Sequence, residues 1–285
     1  MNPASGRPDA ALARRFATGA AGAMLLLSLA ACQTVQTTQP GVVGVERKQT
    51  MTSLLPVSQV NSGAEKAYQQ VLAEARKKNQ LNRDAAQLAR VKRIADRLIP
   101  VTAAFRNDAP GWKWEVNVIT SDEVNAWCMP GGKIAFYTGL IDKLKITDDE
   151  MAAVMGHEIA HALREHGRER ASQAALQGTV LNIGAALLGV GSLGVDISSI
   201  ILDVTFNLPN SRQDETEADR IGVELSARGG FDPNAAVSLW QKMNQLGGGR
   251  GPQFMSTHPS PDNRIKDLQV YSARVMHLYQ AARKP

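Results

Sequence analysis

The segment MGHEIAHALREHGRER, residues 155–170, contains three of the five histidines in the chain. His157 and His161 are four positions apart, so a helix would place both imidazoles on the same face. Neutral imidazole is a good ligand for Zn²⁺. Glu158 follows His157, where its carboxylate can take a proton from a water molecule activated by the metal. This HExxH arrangement predicts a zinc site with Glu158 as the general base.

The residues around this motif favour a metal site over a surface helix with two solvated histidines. The helix is broadly apolar, and polar groups on a helix that faces the core need partners, which a metal ion provides. On one continuous helix, His166 would be rotated by about 180° from His157 and by about 140° from His161. We therefore predict that His166 is a solvent-exposed or helix-end residue, and that the third ligand comes from elsewhere.

The segment SRQDETEADRIG, residues 211–222, offers that ligand. Glu215 and Asp219 are four positions apart and share one face of a predicted helix. Glu215 would complete a site of two histidines and one carboxylate with an open position for water, and Asp219 would orient a ligand histidine. Glu217 lies about 200° around the helix from Glu215. We predict that Glu217 is solvated; with Glu217 as the ligand instead, Asp219 would not share its face.

The N-terminus has the pattern of a secretory signal. A basic pair, Arg14 and Arg15, precedes the apolar run of residues 17–31, which is too short to span a bilayer comfortably and ends at Cys32. An ordinary buried helix is the weaker alternative for a run in this position. We therefore assign residues 1–31 to a signal peptide.

The four residues that end at Cys32, Leu-Ala-Ala-Cys, resemble a bacterial lipobox. The resemblance implies cleavage before Cys32 and lipidation of that residue, and several acyl chains anchor a protein firmly to a membrane. Lipoproteins retained at the inner membrane usually carry Asp directly after the cysteine, whereas this chain has Gln33, so the resemblance implies the periplasmic face of the outer membrane. Residues 33–61 show no sustained period, so we predict that residues 32–61 are a lipidated cysteine and a flexible tether, followed by one domain over residues 62–285.

The rest of the chain predicts an α+β fold that is mostly helical, with a small sheet beside the helix of the HExxH motif. Residues 112–120 alternate as a strand does, and residues 125–140 indicate two strands around a Pro-Gly-Gly turn. Thr147 and Glu150 form a capping box that begins the motif helix. Further helices are predicted within residues 62–106, 210–228 and 262–280. Residues 176–206 are glycine-rich and apolar, which favours a helical hairpin over the cleft and, less strongly, a membrane span.

Composition excludes several classes of protein. The net charge is +5, without a basic stripe interleaved with aromatic residues, so no nucleic-acid partner is expected. The two cysteines, Cys32 and Cys128, exclude a disulfide-rich scaffold. Cys128 is predicted to be buried, with a reactive thiol as the alternative.

Four motifs in order resemble peptidase family M48, the Ste-type and Oma-type zinc metallopeptidases. They are HEIAH, SRQDETEADRIG, NAWCMPGG and STHPSPDNRI, and the resemblance covers most of residues 65–275. It implies a zincin-type metallopeptidase fold, and the single predicted anchor fits the LoiP-like branch of periplasmic lipoproteins best.

The resemblance also implies roles for individual residues. His157, His161 and Glu215 would bind one Zn²⁺ per chain, Glu158 would be the general base, and Asp219 would donate a proton or orient a ligand. His258 matches a Thr-His-Pro histidine that either approaches the metal and influences catalysis or is structural. Arg212 and Arg264 match arginines near the cleft, and His277 is taken as structural.

The implied activity is hydrolysis of peptide bonds in unfolded or misassembled cell-envelope proteins. The implied location is the periplasm, with a lipid anchor at the outer membrane and possible partners in outer-membrane assembly. The alternative is a latent or inactive lipoprotein of the same fold that acts as a chaperone or assembly factor.

Overall fold

A computed structural model describes residues 32–53, 55–176, 197–246, 253–259 and 263–282. The predicted signal peptide, residues 1–31, lies outside these ranges. So do residues 177–196, which make up most of the predicted apolar hairpin. None of the helices in the described ranges is long and apolar enough to cross a membrane.

Helices make up most of the described chain, as predicted. They are α1 (Val57–Lys77), α2 (Ala85–Val101), α3 (Thr138–Leu144), α4 (Asp148–Leu163), α5 (His166–Leu176), α6 (Ile197–Phe206), α7 (Arg212–Arg228), α8 (Ala235–Gln245), α9 (Gln253–Thr257) and α10 (Arg264–Ala282).

A small mixed sheet lies beside α4. Its strands are β3 (Glu115–Ile119), β4 (Ala126–Met129) and β5 (Lys133–Tyr137), in the order β3-β5-β4. Strand β5 is parallel to β3 and antiparallel to β4. Gly131 and Gly132 form the turn between β4 and β5 with φ of 80° and 86°, a region that favours glycine. The predicted α+β class is therefore confirmed, and Cys128 on β4 is buried as predicted.

The segment predicted to be a flexible tether is folded. Strand β1 (Cys32–Val35) pairs with β2 (Gln49–Thr52) in an antiparallel ladder. Val43 and Met51 are fully buried. Helix α1 begins at Val57, within the predicted tether. The tether prediction was wrong because this segment is held by contacts with distant parts of the chain, which local periodicity does not reveal.

Helices α4 and α7 pack directly against each other in the core. Both begin with a capping box: Thr147 with Glu150 as predicted, and Ser211 with Asp214. Each box satisfies free backbone amides at a helix N-terminus and fixes where the helix begins. The packing of these two helices brings the HExxH motif against the segment with Glu215 and Asp219.

Candidate metal centre

Four buried side chains bring their ligand atoms together. His157 and His161 come from α4, Glu215 comes from α7, and His258 directly follows α9. One ligand atom from each lies within 4.8 Å of the others. The structure therefore joins the two predicted histidines to the predicted carboxylate, and it adds His258 to the group.

The distances between these atoms fit a metal ion. His157 Nε2 lies 3.1 Å from His161 Nε2 and 3.4 Å from Glu215 Oε2. His161 Nε2 lies 3.2 Å from Glu215 Oε1. Two ligand atoms on one tetrahedral zinc ion lie roughly 3.3 Å apart, given the usual bond lengths. Two imidazoles and one carboxylate are also donors that zinc accepts.

Asp219 and Arg264 hold the outer side of this group. Asp219 Oδ1 lies 3.0 Å from His157 Nδ1, so the other ring nitrogen of His157 faces the metal position. Arg264 donates to Asp219 from Nε at 2.7 Å and to Glu215 from Nη2 at 2.9 Å. The guanidinium also lies 3.4 Å from the centre of the Trp240 ring. One arginine thus fixes both the ligand carboxylate and the carboxylate that orients a ligand histidine.

His258 faces the same position from a third direction. Its Nδ1 lies 3.2 Å from His157 Nε2 and 3.0 Å from Glu215 Oε1. The Asn210 side chain lies 3.2 Å from the same nitrogen, and Phe254 stacks on the ring. Asn210 is not predictable from the sequence, because an isolated asparagine carries no spacing signal.

Glu158 lies at the edge of a cleft beside the ligand group. Its Oε1 is 3.5 Å from His258 Nε2 and, among the described residues, has no hydrogen-bond partner. Trp127, Cys128 and Pro130, on and just after β4, line the cleft together with residues of α6. Arg170 also lines it, with Nε and Nη1 buried and unpartnered within the described chain.

The electrostatics of the group follow from burial and opposed charges. Burial lowers the pKa of His157, but Glu215 and Asp219 outweigh burial and raise it to about 9. Burial lowers the pKa of His161 well below its ordinary value. Burial raises the pKa of Glu215, but the nearby histidines hold it well below the ordinary range. Burial raises the pKa of Glu158, with partial opposition from the histidines.

His166 begins α5 and does not belong to the ligand group, as predicted, but neither His166 nor Glu217 is exposed to solvent. His166 is fully buried, with its Nδ1 2.8 Å from His161 Nδ1. The helical rotation does not apply, because α4 ends at Leu163 and the backbone turns at Glu165, where φ is 52°. Glu217 is buried too, since Arg47 and Arg164 pair with it from other parts of the chain.

The family model of Peptidase family M48 matches residues 85–272, which include both metal-binding helices. The chain belongs to peptidase family M48. The predicted ligand pattern and the zincin-type fold are those of this family. Arg264 lies in the matched region and contacts the site, whereas Arg212 is exposed on α7.

Curated relatives within the M48 peptidases come from mitochondria and bacteria. The chain is 36% identical over 183 residues to "Mitochondrial metalloendopeptidase OMA1" of Schizosaccharomyces pombe, covering 64% of this chain and 52% of that protein. It is 31% identical over 230 residues to "Metalloendopeptidase OMA1, mitochondrial" of Homo sapiens, covering 75% of this chain and 43% of that protein. It is 30% identical over 177 residues to "Metalloprotease LoiP" of Escherichia coli, covering 61% and 69%. The chain thus spans about half the length of these mitochondrial relatives.

Proposed function

We propose that this M48 protein is a zinc-dependent endopeptidase. The observation that supports the proposal is the buried group of His157, His161 and Glu215, with Glu158 beside it in a cleft. A zinc ion held by these three residues would supply a Lewis acid that activates water and polarises the scissile carbonyl. Glu158 is not a ligand, so its carboxylate is free to take the proton from water and pass it to the leaving amine.

Other residues of the cleft are placed to stabilise negative charge on the substrate. Arg170 has two buried donors without a partner in the described chain, and such donors stabilise charge that develops in a transition state. His258 Nε2 lies 3.5 Å from Glu158 Oε1 and is a second candidate to stabilise negative charge on the substrate. Asp219 keeps His157 in the orientation that binds the metal, and the bonds of its two oxygens to His157 and Arg264 favour this role over proton donation.

We propose that an extended peptide binds along strand β4, whose four residues are buried in the structure as described. It is an edge strand in the sheet as described, and its residues Trp127 and Cys128 line the cleft next to Glu158. A peptide added to this edge would be held through its main chain, with little dependence on its sequence. That mode of binding suits unfolded protein substrates.

Purified protein tests the proposal. We expect about one zinc per chain by elemental analysis and cleavage of casein or another unfolded protein. A chelator should abolish cleavage, and added Zn²⁺ should restore it. Full cleavage after complete removal of the metal would contradict the proposal.

We further propose a LoiP-like cell-envelope lipoprotein whose substrates are unfolded or misassembled envelope proteins. The support is the lipobox-like sequence ending at Cys32, together with the relatedness to LoiP. Strand β1 begins at Cys32, so lipids on that residue would hold the folded domain close to the outer membrane without a long tether. Incorporation of labelled palmitate into the wild type, and its loss in Cys32→Ala, tests the anchor.

A latent enzyme is the alternative, and two observations favour it. His258 occupies a fourth position in the ligand group, and Ile201 and Val204 of α6 narrow the cleft. A protein that holds zinc but leaves unfolded substrates intact would favour latency, or a chaperone role, over constitutive proteolysis.

A further inference from the structure

His166 contacts the back of a metal-ligand histidine. His161 directs its Nε2 towards His157 and Glu215, so its Nδ1 points to the opposite side. That nitrogen lies 2.8 Å from His166 Nδ1. The other nitrogen of His166, Nε2, lies 3.2 Å from Glu217 Oε2. A chain of hydrogen bonds therefore runs from the ligand group to Glu217.

The protons in this chain have one arrangement that allows metal binding. A neutral His161 that binds metal through Nε2 carries its proton on Nδ1 and donates it to His166. His166 then accepts at Nδ1 and carries its own proton on Nε2, which it donates to Glu217. The reverse direction would put a proton on His161 Nε2 and block the lone pair that binds the metal. Because a carboxylate only accepts, Glu217 keeps a proton on His166 Nε2, and a ring with its single proton there accepts from His161 at Nδ1.

Two arginines hold Glu217 in place for this task. Arg164 is fully buried and donates from Nε to Glu217 Oε2 at 2.9 Å. Arg47 donates to both oxygens of Glu217, and its Nη2 reaches Asp214 Oδ1 at 2.8 Å. It also forms a two-bond pair with Glu169 at 2.8 and 2.9 Å. Arg47 thus joins α5 and α7 at the point where Glu217 meets His166.

Arg47 belongs to the N-terminal segment, outside residues 85–272 that match the family model. The segment is fixed by further bonds. Arg164 donates to the Arg47 carbonyl at 2.8 Å and to Thr38 Oγ1 at 3.1 Å, and Gln49 donates to the Arg164 carbonyl. Residues 38–49 are therefore hydrogen-bonded to Arg164 at the end of α4. Arg164 lies within two helical turns of both ligand histidines.

We propose that Arg47, acting through Glu217 and His166, is a positioning residue of the metal centre that keeps His161 in its metal-binding tautomer. Residues 38–49 then contribute to the geometry of the metal centre and do not serve only as a spacer. This inference rests on the proposed function only in requiring that the site binds a divalent metal, and it does not depend on which peptide is cleaved.

Metal affinity of the folded full chain tests the role of His166, with Zn²⁺ as the probe in competition with a chromogenic chelator. His166→Leu and His166→Asn both remove the ring and leave side chains of similar size, but Asn keeps an oxygen that can accept from His161. We expect His166→Leu to weaken zinc binding by about 10- to 100-fold, as loss of a partner behind a ligand does. His166→Asn should stay within a few-fold of the wild type. Equal affinities in the two variants would overturn the proposal.

The role of Arg47 is tested with Arg47→Gln beside Arg93→Gln, an exposed arginine that pairs with Asp148 at the start of α4. Arg47→Gln should weaken zinc binding several-fold, Arg47→Lys should weaken it less, and Arg93→Gln should leave it unchanged. Circular dichroism and the melting temperature of the metal-free proteins show whether each variant is folded. Wild-type affinity in a folded Arg47→Gln would overturn the role of Arg47.

Nitrogen-15 NMR of the zinc-loaded histidines provides an independent measurement. We expect His166 to carry a proton on Nε2 and to accept a hydrogen bond at Nδ1, and a proton on its Nδ1 would contradict the proposal. A wild type that binds zinc without cleaving peptides would refute the proposed function and leave this inference standing. A wild type that binds no divalent metal would refute both.

Discussion

Gly156 and Gly222 face each other where α4 crosses α7, and neither position has room for a side chain. A Cβ atom on Gly222 would lie 2.7 Å from the His157 backbone nitrogen, and one on Gly156 would lie 2.7 Å from the Gly222 carbonyl oxygen. The close approach of the two backbones brings Glu215 within reach of the ligand histidines. The metal centre therefore depends on two glycines that take no part in the chemistry.

Substitution of Gly222 by alanine should damage both stability and the metal site. The added methyl group meets backbone rather than a flexible side chain, so the helices must separate, at a cost of about 1–3 kcal/mol in the free energy of unfolding. Urea unfolding and a zinc titration measure the two effects. Gly111→Ala is the matched control, because nothing lies within 4 Å of the position of its Cβ. Equal stabilities of the two variants would contradict this view of the crossing.

Loss of Asp219 should weaken metal binding without unfolding the protein. Its carboxylate holds His157 through Nδ1, and removal of such a partner reduces metal affinity by about 10- to 100-fold. A zinc competition assay on Asp219→Ala measures the change. Asp267→Ala is the control, since Asp267 pairs with Arg220 and does not belong to the ligand group. If Asp267→Ala weakened zinc binding as much as Asp219→Ala, the assigned role of Asp219 would be wrong.

Glu217 should make the metal-free protein sensitive to acid. Burial raises the pKa of Glu217, but His166 and the arginines outweigh burial and lower it from 4.5 to about 2. Because the folded pKa is the lower one, the stabilisation is complete above about pH 4.5 and is lost as the pH falls towards 2. Between pH 6 and pH 3, Glu217 should account for about 2 kcal/mol of lost unfolding free energy.

Chelated protein unfolded in urea at these two pH values measures that loss. Glu217→Gln should be less stable than the wild type at pH 6. Its free energy of unfolding should also decrease less than that of the wild type between pH 6 and pH 3. Glu123→Gln, at an exposed position, serves as the control. If the free energy of unfolding of Glu217→Gln depended on pH as that of the wild type does, the ion pairs of Glu217 would contribute little to stability.

Arg170 should contribute to turnover more than to folding. Its unpartnered donors line the cleft, so Arg170→Leu should lower kcat/KM for a peptide substrate by about tenfold or more, with a smaller loss in Arg170→Lys. Arg168→Leu is a control on the same helix, where Arg168 bonds to the Leu55 carbonyl and to Glu165. If Arg168→Leu and Arg170→Leu lowered kcat/KM equally, the loss in Arg170→Leu would reflect a change in the structure of the helix and not a role of Arg170 in turnover.

The parts of the site that the sequence predicted are those set by local geometry. The four-residue spacing of His157 and His161 and that of Glu215 and Asp219 each hold within one unbroken helix. The Pro-Gly-Gly turn and the capping box of α4 are likewise determined by a few adjacent residues. These features can be predicted from the sequence because they depend only on neighbouring residues.

The predictions that failed depend on contacts between distant residues. The solvent exposure predicted for His166 assumes a continuous helix, but the helix ends at Leu163 and the backbone turns at Glu165, which no local pattern indicates. The sequence around Glu217 does not indicate its burial, because its partner Arg47 lies 170 positions away. The same network folds the N-terminal segment that was predicted to be a tether. Pairing between distant charged residues cannot be read from the spacing within one motif.

The most direct test of the account is a comparison of Glu158→Gln with the wild type. We measure zinc content and cleavage of casein on the same preparations, with the melting temperature as a check on folding. Since Glu158 is the proposed base and not a ligand, the variant should hold about one zinc per chain and lose cleavage by a factor of about 100 or more. Cleavage by the zinc-loaded variant at the rate of the wild type would contradict the proposed hydrolytic mechanism.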